Sequence, residues 1–128
     1  MGTPDENLLK AMAAFGGGIA STGRACGALL GGVAFLSSLY GRGNPSEQDH
    51  PSMWRLSHKL AKKFEEITKP FGGLNCVNIA GVNWSDPQQT KNFYTNPQST
   101  YRNCVRLVGD TAFFLGEILD QVKAEKAK

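Results

Sequence analysis

YRNCVRLVGDTAFFLGEILDQV, residues 101–122, repeats apolar side chains at intervals of three and four: Tyr101, Cys104, Val105, Val108, Ala112, Leu115, Leu119 and Val122. That spacing follows the 3.6-residue period of an α-helix. It predicts one long amphipathic helix beginning around residues 97–99, with Cys104 in its buried stripe. Nowhere else does the chain alternate at the strand period of two over a useful length. The fold class follows: an all-α, compact bundle of about four main helices, with a short helix and a long ordered Gly/Asn-rich loop.

Working back from this helix, Asp86-Pro87 with Gln89 has the form of a helix start and predicts a short helix to about Tyr94. FGGLNCVNIAGVNW, residues 71–84, has no helical period; its glycines and asparagines predict an ordered loop with Cys76 at its middle. Ser46 is expected to open a helix that carries Met53, Leu56, Leu60, Phe64 and Ile67 and ends at Lys69-Pro70. An earlier helix, from Arg24 or Ala25 to Tyr40, is apolar nearly all round, with Cys26 in its first turn. Gly27 with Gly31, and Ala28 with Gly32, stand four apart and predict smooth faces for close helix packing. Thr3, Pro4 and Glu6 predict a first helix from Pro4 to Phe15, broken by the glycines of FGGG at 15–18.

A chain of 128 residues is expected to form one domain, spanning 1–128, with a core that needs neither metal nor disulfide to fold. A net charge of +3 is too small to argue for nucleic acid. The longest apolar run, ACGALLGGVAFL from Ala25, is twelve residues and too short to span a bilayer, so no membrane segment is predicted. The acidic start TPDEN does not resemble an export signal, and the expected compartment is the cytoplasm. Cys26, Cys76 and Cys104 are an odd number with no C-x-x-C pair, which fits a reducing compartment. There is no C-x-x-C-H for covalent haem, and His50 and His58 fall outside zinc spacing. No Ser/His/Asp set or carboxylate pair stands out, so the sequence assigns no enzymatic reaction.

The thiols therefore carry the chemistry. GRACGALLGG, residues 23–32, surrounds Cys26 with glycine and alanine, although a glycine within a helix costs roughly 1 kcal/mol relative to alanine. Close approach of another group is the usual compensation, and Gly16, Gly17, Gly18, Gly23, Gly27 and Gly31 are candidate site-shaping residues. A thiol at a helix start meets the positive end of the dipole and unpaired N–H groups, which favour thiolate; complete burial opposes this. Cys76 sits among loop amides able to hydrogen-bond to a metal-bound sulfur. Each thiol can also be read as a small packed hydrophobe, most strongly Cys104 in its apolar stripe.

FGGGIA, then G-x-x-CGALLGG and YGRG, then GLNC with IAGVNW and DP, and finally NCVRLVG-x-TA with LGEIL resemble one family in order and approximate spacing, from about Leu8 to Leu119. It is the redox-active family named for the cysteine pattern C_GCAxxG_C_C. The resemblance implies an all-helical fold and kinship with split-Soret cytochromes, whose additional haem-binding sequence this chain lacks. It also implies an electron-transfer role, with the cysteines as ligands of an iron–sulfur cluster or another metal centre. Carried over, the ligands are Cys26, Cys76 and Cys104. The family's first cysteine has no counterpart, since only fifteen residues precede Gly16 and none is cysteine. The alternative is a metal-free thiol protein, with Cys26 and Cys76 as the redox thiols, or a helical interaction module. The expected partners are a redox partner that the sequence does not name and, as one way to complete the site, a second copy in a homodimer.

Overall fold

In the computed structural model, which describes residues 5–126, the chain forms α1 (Glu6–Met12), α2 (Gly27–Tyr40), α3 (Ser52–Thr68), α4 (Cys76–Ile79), α5 (Pro87–Thr95) and α6 (Tyr101–Lys126). Single 3₁₀ turns at Ala13–Phe15 and Lys69–Phe71 extend α1 and α3. No strand occurs among the described residues; one isolated antiparallel bridge pairs Ala25 with Asn75. The fold is all-α.

The core lies where α2, α3 and α6 meet. Leu29 and Leu36 from α2, Leu56, Leu60 and Phe64 from α3, and Leu107, Ile118 and Val122 from α6 are buried together, with Ile79 of α4 closing one end. Each fully buried large side chain contributes roughly 1.5–3 kcal/mol, so this cluster dominates stability. Gly32 sets the spacing between α2 and α3: a Cβ there would stand 2.6 Å from Leu60 Cδ2. The buried hydroxyls of Thr68 and Thr111 donate to the carbonyls of Phe64 and Leu107 one turn back, both at 2.7 Å, and so cost little.

Several boundaries differ from the sequence reading for identifiable reasons. Asp5 caps α1, its carboxylate accepting from the Leu8 N–H at 3.1 Å; Thr3 and Pro4 lie outside the described residues. Ser46 does not open α3. It turns back on Asn44, whose side-chain oxygen accepts from the Ser46 N–H at 3.0 Å, and α3 begins six residues later, where His50 Nδ1 accepts from the Ser52 N–H at 3.1 Å. Cys26 is the N-cap of α2, just outside the first turn. The loop at 71–84 contains the one-turn helix α4, with Cys76 as its first residue. Asp86 caps α5 as expected, accepting from the Gln88 N–H at 2.9 Å.

The main correction concerns α6. Tyr101, Val105, Val108 and Ala112 were expected in the buried stripe, but Val105 and Val108 are 55% and 56% exposed, and Tyr101 and Ala112 are also exposed. Val122 of the expected stripe is buried, with Cys104, Leu115 and Leu119 half-buried against the core, but the rest of the core face is Leu107, Thr111 and Ile118, flanked by half-buried Phe114. A helix apolar on two adjacent faces satisfies the same three-and-four spacing twice, and packing against α2 and α3 selects between them. Likewise on α2 the Gly32 face meets its neighbours, while a Cβ at Gly31 would touch nothing within 4 Å.

Candidate thiol site

Residues 17–21 build one wall of the site. Gly17, Gly18, Ile19, Ala20 and Ser21 all have positive φ, at 65°, 73°, 66°, 50° and 60°, and form a left-handed turn. For the three non-glycine residues this conformation costs roughly 1–2 kcal/mol each. The turn is held by hydrogen bonds from the Ser21 N–H to the Gly16 carbonyl (3.0 Å), from the Gly23 N–H to the Gly17 carbonyl (3.0 Å) and from the Arg24 N–H to the Gly18 carbonyl (2.9 Å). Thr22 Oγ1 also donates to the Gly18 carbonyl at 2.8 Å. Gly18 is required here: a Cβ would stand 2.5 Å from the Arg24 backbone and 2.6 Å from the Cys76 Cβ.

The Ala25–Asn75 bridge brings two cysteines from distant segments together. The Cys26 N–H donates to the Leu74 carbonyl at 3.1 Å, and the Cys76 N–H donates to the Arg24 carbonyl at 2.6 Å. Cys26 and Cys76 are therefore diagonal neighbours across this single bridge. Cys104, near the start of α6, lines the same cavity.

This cavity holds about 490 Å³. Its walls include the three thiols, Phe15 and Trp84, and the exposed face of α6 at Val105 and Val108; among the described residues no Lys, Arg, His, Asp or Glu contributes. Gly16, Gly17, Gly18, Gly27 and Gly31 also line it. Gly23 stands behind the wall, its carbonyl accepting from the Val77 N–H at 3.0 Å. The cavity residues Val105 and Val108 are thus those the sequence reading had placed in the core. A separate cleft of about 360 Å³ between α3 and α6 is lined by Lys59, Lys62, Lys63, Glu66 and Glu117 and has no thiol.

The electrostatics separate the sulfurs. Burial pushes the Cys26 thiol up; the N–H groups of Ala28 and Leu29 at the start of α2 pull it down without forming a cap hydrogen bond, and a charge on Cys76 would raise it further. Burial therefore outweighs the helix start. Cys104 is pushed up to about 11, first by burial and then by the charges of Cys76 and Cys26. Cys76 alone has a side-chain donor on its sulfur: Trp84 Nε1–H points at Sγ from 3.4 Å. No local sequence pattern announces this contact.

Among the described residues no three His, Cys, Asp or Glu side chains are grouped so as to hold a metal ion. The three thiols line one cavity, with no His, Asp or Glu beside them among its described lining residues. A single tetrahedral ion does not fit such a set. His58 is exposed on α3, and neither histidine lines the cavity.

The described residues thus form an all-helical fold in which three thiols line one cavity. Residues 1–118 match the family described as "Putative redox-active protein (C_GCAxxG_C_C)", and the chain belongs to this family. Comparison with curated proteins and with solved structures found no match. No helix among the described residues is long and apolar enough to cross a membrane.

Proposed function

We propose that the protein is an electron carrier whose redox centre is an iron–sulfur cluster ligated by Cys26, Cys76 and Cys104. The observation that carries this reading is the shared cavity: three thiols from separate elements line it, and among the described residues no carboxylate or imidazole does. Such a donor set selects soft, thiophilic metals over hard cations. A bound cluster would supply one-electron transfer. The chain's own residues supply the rest. Trp84 and the N–H groups at the start of α2 are directed at sulfur, where they stabilise negative charge. Phe15, Val105 and Val108 give the cavity an apolar wall that limits water. The fourth ligand comes from outside the described residues, from a second copy in a homodimer or from an external thiol. The redox partner docks at the cavity mouth, where Tyr94 and Tyr101 are exposed and charged side chains are missing from the lining.

Anaerobic purification followed by iron, sulfide and visible-absorption analysis tests this reading. Wild type is expected to be brown and to contain iron and acid-labile sulfide. Cys26→Ser should lose iron binding while far-UV circular dichroism stays nearly unchanged. A wild-type protein that stays colourless with three free thiols after reconstitution with iron and sulfide overturns the proposal. The second reading would then stand, in which Cys26 and Cys76, neighbours across the bridge, cycle between dithiol and disulfide after a local shift, giving two electrons and two protons to an external acceptor.

A further inference from the structure

We infer that α6 pairs with α6 of a second copy of this chain, antiparallel about a two-fold axis level with Asp110 and Thr111, through the face that carries Val105, Val108 and Ala112. The inference uses no cysteine and does not rest on a cluster. Val105 and Val108 are more than half exposed, and Ala112 is exposed one turn further on. An apolar groove of about 410 Å³ continues this face onto α2, where Gly31 and Phe35 line it beside Val108, Ala112 and Leu115. Among the described residues no Lys, Arg, His, Asp or Glu lines the groove. Covering it removes apolar surface from water, which favours association.

The distribution of side chains along α6 selects a second copy as the cover. The first half of the face is bulky and basic, with Arg102, Val105 and Val108; the second half is small and acidic, with Ala112, Gly116 and Asp120. Arg102 and Asp120 are exposed, and neither takes part in an ion pair among the described residues. They stand about five whole turns apart, so both flank the face on the same edge. Asp110 lies about 160° round the helix from Val108, off the contact. In an antiparallel pair, bulky meets small and basic meets acidic at once. Val108 packs on the partner's Ala112, and Val105 on the partner's Gly116, where an added Cβ would meet nothing within 4 Å. Arg102 reaches the partner's Asp120, and the two-fold axis repeats each contact. A parallel pair would instead set Arg102 against Arg102 and valine against valine. The antiparallel contact is closed, so assembly stops at two copies. Val105 and Val108 also border the thiol cavity, so the second copy lies along one of its walls.

Sedimentation equilibrium of the full chain, kept reduced and at low ionic strength, reads the assembly directly. Wild type is expected to be dimeric at roughly 100 μM, as befits an interface of modest size. Ala112→Glu changes an exposed helical position and sets a charge at the centre of the contact. It should give a monomer whose far-UV circular dichroism matches that of wild type. Asp120→Lys should raise the dimer dissociation constant about tenfold, because two symmetric pairs turn from attraction to repulsion. Adding Arg102→Glu to Asp120→Lys restores opposite charges in the reversed sense and should bring the constant back near the wild-type value. Only an antiparallel pair predicts that rescue. A wild type that stays monomeric, a dimer that Ala112→Glu leaves intact, an Asp120→Lys defect that Arg102→Glu does not relieve, or open-ended assembly beyond two copies overturns the inference. None of these measurements depends on iron, so a failed reconstitution sinks the cluster proposal without touching this one.

Discussion

Cys104 is the residue whose chemistry the surroundings alter most. Its thiol is pushed up from 9.0 to about 11, so the folded chain holds this proton more tightly than the unfolded chain does. Below pH 9 both states are protonated and the contribution to stability is whole. As pH rises from 9 towards 11 the unfolded thiol ionises first, so that stability is lost. In reduced, metal-free protein the thermal midpoint of wild type is expected to exceed that of Cys104→Ala at pH 8, with the gap closing by pH 11. A gap independent of pH would show that Cys104 only packs. The sequence located Cys26 within one position of its place but left the balance of forces on it open. A helix start can be read from letters, whereas the burial that outweighs the Ala28 and Leu29 N–H groups depends on α6 and on residues 15–18 folding over it.

Glycines on α2 and α6 look alike in sequence and differ in what surrounds them. At Gly32 an added Cβ would press on Leu60, which is 1% exposed and cannot swing aside. Overpacking costs about 1–3 kcal/mol and outweighs the gain of up to about 1 kcal/mol from alanine's helix propensity. At Gly109 nothing lies within 4 Å, so only the gain remains. Thermal unfolding should therefore rank Gly109→Ala above wild type and Gly32→Ala below it; the reverse order would contradict the α2–α3 packing described above. The existence and type of α2, α3, α5 and α6 were legible because each carries a clear period or cap. The orientation of α6 was not, because Val105 and Val108 fit the period as well as Leu107 and Thr111 do. Of the stripe that periodicity favoured, Tyr101, Cys104, Val105 and Val108 line the cavity, while Val122 joins Leu107 and Ile118 in the core.

Across the whole molecule, the cavity is assembled from residues 15–18, 26–28, 76, 84 and the first turns of α6, segments that no local pattern connects. Their convergence could be anticipated only from the family's cysteine pattern, which holds its order over residues 1–118. Two contributors stayed hidden. Trp84 looked like any loop aromatic, and the left-handed turn continues through Ile19, a β-branched residue whose identity argues against positive φ.

That turn has a stereochemical consequence. Five consecutive residues with positive φ form a stretch for which the backbone would prefer the opposite enantiomer, and Ala20, with φ of 50°, carries the smallest side chain of the three that are strained. Glycine at this position would relieve the clash but loosen the unfolded chain. D-alanine relieves it without that loss. Cys26, six residues downstream, offers a junction for joining a synthetic N-terminal peptide to the remainder of the chain. The resulting diastereomer should unfold about 1 kcal/mol later than the all-L protein. A destabilised product would mean that the chain does not wind left-handed beside its thiols.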